Sequence, residues 1–283
     1  MPIVDAWPMP IVDDYLTLVA GHEYFALVDL ASGYYQVELA PSVRPRTVFV
    51  TEDGKYQYKR LPMGLSEAPF AFQRFMNRAI GNLRTETCLA YFDDIPTMGK
   101  DFDDFVANLK DMFNRVRQVG LKLKPEKCRF GDREYKLLGH IVSGNGIRAD
   151  PDKIETLNRL ARPKNLRQLR SIMGLFNYLG RYIPKYAELA APLFELTRKR
   201  KSFEISREHL ERIDTIKTIL QKRCLLTHFR QDRTTRIKFD ASGIAVGGFL
   251  EQQDTTGAWN AIYYYSQRLK SYQTCIQHRK KSA

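Results

Sequence analysis

The sequence predicts an α+β fold in which helices cover one face of an antiparallel sheet, and three observations predict it. Short apolar runs bounded by turn residues recur through the first half, as buried strands do. Segments with helical apolar spacing lie between those runs. From about residue 148 the spacing becomes wholly helical and Lys and Arg fill the polar positions.

Taken in order, "YFALVDL" (24–30) reads as a buried strand, and "YYQVELA" (34–40) and "RTVFVTEDGKYQYKRL" (46–61) read as further strands, with "EDGK" as a hairpin turn. A helix starts near "SEAPFAF", with Pro69 in its first turn and Ser66 or Glu67 near the cap, and runs to about Leu83. "TCLAYF" (87–92) is a second buried strand. The next helix begins near Asp101, sets Phe102, Phe105, Leu109, Met112, Phe113 and Val116 on one face, and stops at Gly120. "YKLLGHIV" (135–142) reads as a further strand. Two amphipathic helices follow, one capped by Asp150 with Pro151 behind it, the other capped by Asn165 with apolar residues from Leu166 to Ile183. A helix over 206–223 then leads to a meander of three strands with Asp240 at the end of the first.

The formal net charge is +13, carried unevenly: residues 1–140 sum to −1, residues 141–201 to +8 and residues 202–283 to +6. A near-neutral first half and a basic second half point to a polyanion held by the latter. The four cysteines (Cys88, Cys128, Cys224, Cys275) and five histidines show no metal-ligand spacing, which argues against zinc and disulfide frameworks and fits an intracellular setting. No apolar run approaches the roughly 20 residues that cross a bilayer, and no signal-peptide pattern opens the chain, so no membrane partner is expected.

"LAYFDDIPTM" (89–98) sets Asp93 and Asp94 directly after an apolar run, and Asp29 likewise ends "ALVD". Acidic groups are seldom buried without a cation or a partner. Neighbours on one strand face opposite ways, but at a tight hairpin they can converge. Asp29 and Asp93 on adjacent strands would then repel strongly unless divalent cations lay between them. An all-oxygen ligand set favours Mg²⁺ or Mn²⁺. Beside a basic nucleic-acid surface, such a site suits two-metal phosphoryl transfer.

In order and spacing, "VDLASGYYQVELAP", "RLPMGLSEAPFAFQRFMN", "YFDD", "GLKLKPEKCRFG" and "LLGHIVSGNGI" resemble the reverse transcriptase of gypsy-type LTR retrotransposon (Metaviridae) Pol polyproteins. "PKNLRQLRSIMGLFNYLGRYIP" resembles its thumb, and "IKFDASGIAVGGFLEQQ" the start of its RNase H-like domain. The resemblance implies a palm with truncated fingers over 1–142, a basic helical thumb over 143–201 and a partial RNase H-like α/β domain over 202–283. It implies dNTPs and a template–primer (an RNA–DNA hybrid or a DNA duplex) as partners, and two Mg²⁺ or Mn²⁺ ions. It places the chain in the cytoplasm, a virus-like particle or the nucleus.

Carried over residue by residue, the resemblance makes Asp29, Asp93, Asp94 and the Leu30 carbonyl metal ligands. Tyr34 becomes the steric gate against a 2′-hydroxyl, and Met63, Gly64 and Gln73 the nucleotide platform and its backing. Lys127 becomes the proton donor to pyrophosphate, and Leu138, Gly139 and His140 the primer grip. Asp240 matches one RNase H carboxylate, Gln273 stands at a usual Glu position, and the other acids have no counterpart, so RNase H cleavage is not expected. The family's fingers segment ahead of "DAWPMPIVDD" also has no counterpart here, and Pro96 replaces an aliphatic strand residue. A second reading therefore stands beside the polymerase: a remnant that only binds template–primer.

Overall fold

Apolar runs become strands here where a partner completes their backbone hydrogen bonds. The computed structural model describes residues 12–270 apart from 82, 84–86, 89, 199–202 and 223. The chain divides into two compact units, Met1–Tyr135 and Lys136–Ala283.

The first unit opens with a short helix α1 (Val12–Leu18) and the strand β1 (Tyr24–Asp29), followed by a 3₁₀ turn over Gly33–Gln36 and a two-stranded hairpin, β2 (Phe49–Thr51) and β3 (Gly54–Tyr56). Helix α2 (Ala68–Ile80), strand β4 (Asp94–Gly99), helix α3 (Phe102–Gln118) and strand β5 (Arg129–Asp132) complete it. β1 is the central strand, antiparallel to β4 on one side and β5 on the other. Val28 and Leu30 pack with Phe72, Met76, Ile95, Met112 and Val116 in the core beneath α2 and α3. Asp101 caps α3 by accepting a hydrogen bond from Asp104 N (2.8 Å), and Gly120, with φ 73°, follows its end.

The predicted helices and the hairpin at "EDGK" are present. Residues 34–40 are not a strand, however: Ser32 at φ 50° turns the chain into the 3₁₀ turn. Only a fragment of ladder follows, with Leu39 N bonded to Lys59 O (3.0 Å) and Leu61 N to Val37 O (3.0 Å). Among the described residues of 87–92, Cys88 bridges Thr97 and Tyr91 bridges Asp94, with no regular strand. Pro96 fits inside β4. Because Leu30 N–H bonds Asp93 O, the alternation makes Leu27–Pro96 a non-hydrogen-bonded pair, and the ring nitrogen faces away from β1. Gly99 ends β4 where α3 passes closest. A Cβ there would lie 2.3 Å from both the N and the Cα of Phe105. Helix backbone cannot yield as a side chain does, so Gly99→Ala should cost about 3 kcal/mol of stability in urea unfolding.

A meander comes next in the chain, β6 (Glu134–Leu137), β7 (His140–Ser143) and β8 (Gly146–Ala149). The single strand expected over 135–142 is thus two, broken at Leu138 (φ 50°) and Gly139 (φ 75°), the positive pair that a two-residue hairpin loop requires. Helices α4 (Pro151–Arg159) and α5 (Leu166–Tyr178) follow, with Asp150 and Asn165 accepting from Asp152 N (3.1 Å) and Gln168 N (2.9 Å) as the sequence predicts. α5 stops short of Ile183, and a separate helix α6 (Tyr186–Leu196) begins after Lys185 at φ 54°.

Helix α7 (Arg207–Gln221) opens on a capping box between Ser206 and His209. The predicted meander is β9 (Thr235–Ala241), β10 (Ala245–Gln253) and β11 (Trp259–Arg268). It leans on α6 through hydrogen bonds from Ala187 N to Ser266 Oγ (2.9 Å) and from Arg268 to Glu195, and through the Lys185–Asp240 ion pair at 3.0 Å. Gln273 and Cys275 lie outside the described residues. Among the described residues no helix is long and apolar enough to cross a membrane.

Candidate active site

The acidic site is built where β1 ends against a two-residue hairpin. Tyr91 and Asp94 exchange backbone hydrogen bonds (2.9 and 3.0 Å), which leaves Phe92 and Asp93 as the loop. Phe92 takes φ 50°, a conformation that favours glycine. Asp94 then sits directly opposite Asp29, and Asp93 projects from the loop with its carbonyl accepting from Leu30 N (3.2 Å). The sequence paired Asp29 with Asp93. The register makes Asp94 the cross-strand neighbour, with Asp93 one residue earlier in the turn.

The three carboxylates feel one another. Burial first, and the Asp29 charge second, hold the Asp93 carboxyl above its ordinary range. Asp94 is raised in the same way, with Asp93 adding to the repulsion. Lys127, from the 3₁₀ turn before β5, opposes both shifts and lies 3.6 Å from Asp29 Oδ2. Asp93 Oδ1 is buried without a hydrogen-bond partner. A buried anionic oxygen left unpaired, among acids that repel, is the donor set a hard divalent cation satisfies. Among the described residues no three acidic, histidine or cysteine side chains are drawn together tightly enough to form a ready metal cage.

Three neighbours shape the site, and periodicity in the sequence did not expose what they do. At Gly33 a Cβ would come within 2.5 Å of Asp93 Oδ1 and 2.9 Å of Phe72 Cζ, so the absence of a side chain gives the carboxylate its place. Tyr34 stacks on Phe72 with ring centroids 4.7 Å apart and is close enough to Asp93 for that charge, after burial, to raise its phenol. Gln73 is fully buried. Its Nε2 donates to Ala90 O and Asn77 Oδ1 (both 2.8 Å), and its Oε1 accepts from Phe92 N (2.9 Å). Two of these bonds hold the acidic turn, and the third ties the amide to Asn77 on α2. A signal for it existed: Gln73 is a polar residue on the apolar face of α2 that also carries Met76 and Ile80.

Met63 and Gly64 lie in the loop before α2, Met63 exposed and Gly64 at φ 92°. Leu138 and Gly139 form the β6–β7 turn, and His140 follows at the start of β7. The His140 side chain is buried, with Nδ1 2.7 Å from Tyr182 Oη and its ring stacked on Tyr178. Leu138 and Gly139 are half-buried at that turn, whereas the imidazole is enclosed. Asp240 is exposed and paired with Lys185, whose ammonium holds its carboxyl below the ordinary range.

Comparison with known proteins identifies the family and the fold. The family described as reverse transcriptase (RNA-dependent DNA polymerase) matches residues 4–142, and the RNase H-like domain found in reverse transcriptase matches residues 205–283. The retrovirus-related Pol polyprotein from transposon 297 of Drosophila melanogaster is 32% identical over 88% of this chain and 24% of its own length. That from transposon opus of the same species is 31% identical over 94% of this chain and 28% of its own. The Tf2-3 polyprotein of Schizosaccharomyces pombe is 28% identical over 94% and 20%. The chain therefore spans about a quarter of the length of these relatives.

Foamy viral protease-reverse transcriptase in complex with an RNA/DNA hybrid superposes with a TM-score of 0.80 at 20% identity, over 97% of this chain and 38% of that one. The same protein with double-stranded DNA gives 0.83 at 20% identity, over 99% and 60%. The fold is that of a reverse transcriptase, and the chain belongs to the reverse transcriptase family of gypsy-type retrotransposon Pol polyproteins.

Proposed function

We propose that this chain extends a primer 3′ end with deoxynucleotides on an RNA or DNA template. The placement of Asp94 opposite Asp29 at the end of β1, with Asp93 in the adjoining turn and its Oδ1 buried and unpaired, carries the reading. Those three carboxylates and the Leu30 carbonyl would hold two Mg²⁺ or Mn²⁺ ions. Bound there, the ions supply charge neutralisation and a lowered pKa for the primer hydroxyl. In the transfer, the primer 3′-oxygen bonds the α-phosphorus of the dNTP as the bond to pyrophosphate breaks. Lys127, 3.6 Å from Asp29 Oδ2, would give the departing pyrophosphate a proton. Tyr34, fixed against Phe72 next to Asp93, would leave no room for a ribose 2′-hydroxyl. The basic second unit supports a template–primer partner, held mainly through phosphates and therefore with little sequence preference.

Primer extension on an annealed template with Mg²⁺ and dNTPs tests this. Asp29→Asn should reduce extension by more than the about 100-fold that loss of a mere supporting group costs, with duplex binding nearly unchanged. The Lys127–Asp29 ion pair, which engages a metal-ligand position, favours one rival: a chain that binds template–primer without extending it. Salt-sensitive binding of a hybrid with no extension by the parent would establish that rival.

A further inference from the structure

The acidic turn is strained and is held from two sides. A bulky residue at positive φ costs about 1–3 kcal/mol and persists only where its surroundings impose it. Gln73 on α2 grips the turn at Ala90 O and Phe92 N. The second hold comes from α1, where Tyr15 donates its hydroxyl to the same Ala90 O across 75 residues of chain and sets its ring edge-on to Tyr91, centroids 5.6 Å apart. Tyr15 is buried, and burial pushes its phenol well above the ordinary range, so it stays a protonated donor.

A phenylalanine would fill the same space and keep the edge contact. What the hydroxyl adds is a second hydrogen bond to a carbonyl that Gln73 already satisfies. A backbone oxygen with one good donor needs no other for burial. The second donor therefore acts on direction: with Gln73 it defines where the carbonyl points, and so how Phe92 and Asp93 leave the strand.

We infer that Tyr15 is a positioning residue for the acidic turn, orienting the Asp93 and Asp94 carboxylates toward divalent cations through Ala90. This rests on the polymerase reading above. Tyr15→Phe deletes the oxygen alone. Thermal melting of the full chain against MgCl₂, which needs no turnover, gives one readout, and the Mg²⁺ dependence of primer extension gives the second. Without Mg²⁺ the variant should melt close to the parent. With it, the Mg²⁺ concentrations for half-maximal stabilisation and for half-maximal extension should both rise about 10-fold, with template–primer binding unchanged.

A variant that matches the parent's Mg²⁺ response overturns the inference and leaves the polymerase reading standing. A variant that melts far below the parent without Mg²⁺ shows the bond to be structural, and this too overturns it. A parent that shows neither Mg²⁺ stabilisation nor extension overturns the inference and the polymerase reading together.

Discussion

Asp93→Asn and Asp94→Asn should each abolish primer extension and at the same time raise the melting temperature at neutral pH. Both carboxyls are held above the reference value of 3.8 by burial and by neighbouring carboxylates. A carboxyl whose pKa is raised on folding favours the fold only when protonated, so its contribution is lost as pH rises past that reference. Each charge, where it forms above that reference, opposes folding. Removing one should stabilise the chain by an amount that solvent screening of these half-buried groups keeps to about 1 kcal/mol, or roughly 2–4 °C. The difference should vanish below about pH 3.8. Mg²⁺ should raise the parent's melting temperature, as any ligand that prefers the folded state does, and the Asn variants' far less. Melting temperatures below the parent's at pH 7 would show that the carboxylates are compensated by something other than a cation.

Between pH 6.5 and 4 the second unit should lose stability at about 1.4 kcal/mol per pH unit through His140 alone. Burial pushes this imidazole down from 6.5 to about 4, with Asp150 opposing only weakly. The unfolded chain takes up the proton first as the pH falls. The His140 contribution is therefore complete above 6.5 and is withdrawn as the pH falls toward 4. His140→Gln retains a polar partner for Tyr182 but does not titrate, so its difference from the parent should shrink steadily through that window. The difference also cancels the contribution of His22, another imidazole lowered by burial. Chemical denaturation at several pH values measures it, and parallel profiles would remove His140 from the pH response.

The helices were legible because their signals are local. Asp101, Asp150 and Asn165 cap by bonds to residues two or three positions ahead, and the apolar spacing of α2 and α3 repeats within a turn. The strands were less so. "YFALVDL" is buried whatever its partners, but "YYQVELA" has strand composition and pairs only over Val37–Leu39, with residues 59–61, and "YKLLGHIV" hides a turn behind an apolar run. Leu138 at positive φ is an unusual choice of residue, and only Gly139 marked the break.

The sequence by itself determined the family and the order of the elements and singled out Asp29, Asp93 and Asp94, because motif spacing and helix caps are written in consecutive residues. The tertiary structure alone decided how those acids meet. It set Asp94 rather than Asp93 opposite Asp29, reserved the space at Gly33 for a carboxylate, committed Gln73 to the turn and brought Tyr15 to Ala90. The physical reason is range. A cap or a periodic face is satisfied within four residues, whereas the hydrogen bonds that hold the strained turn span 17 to 75. Such partners are chosen by the packing of whole elements, and no local pattern encodes them.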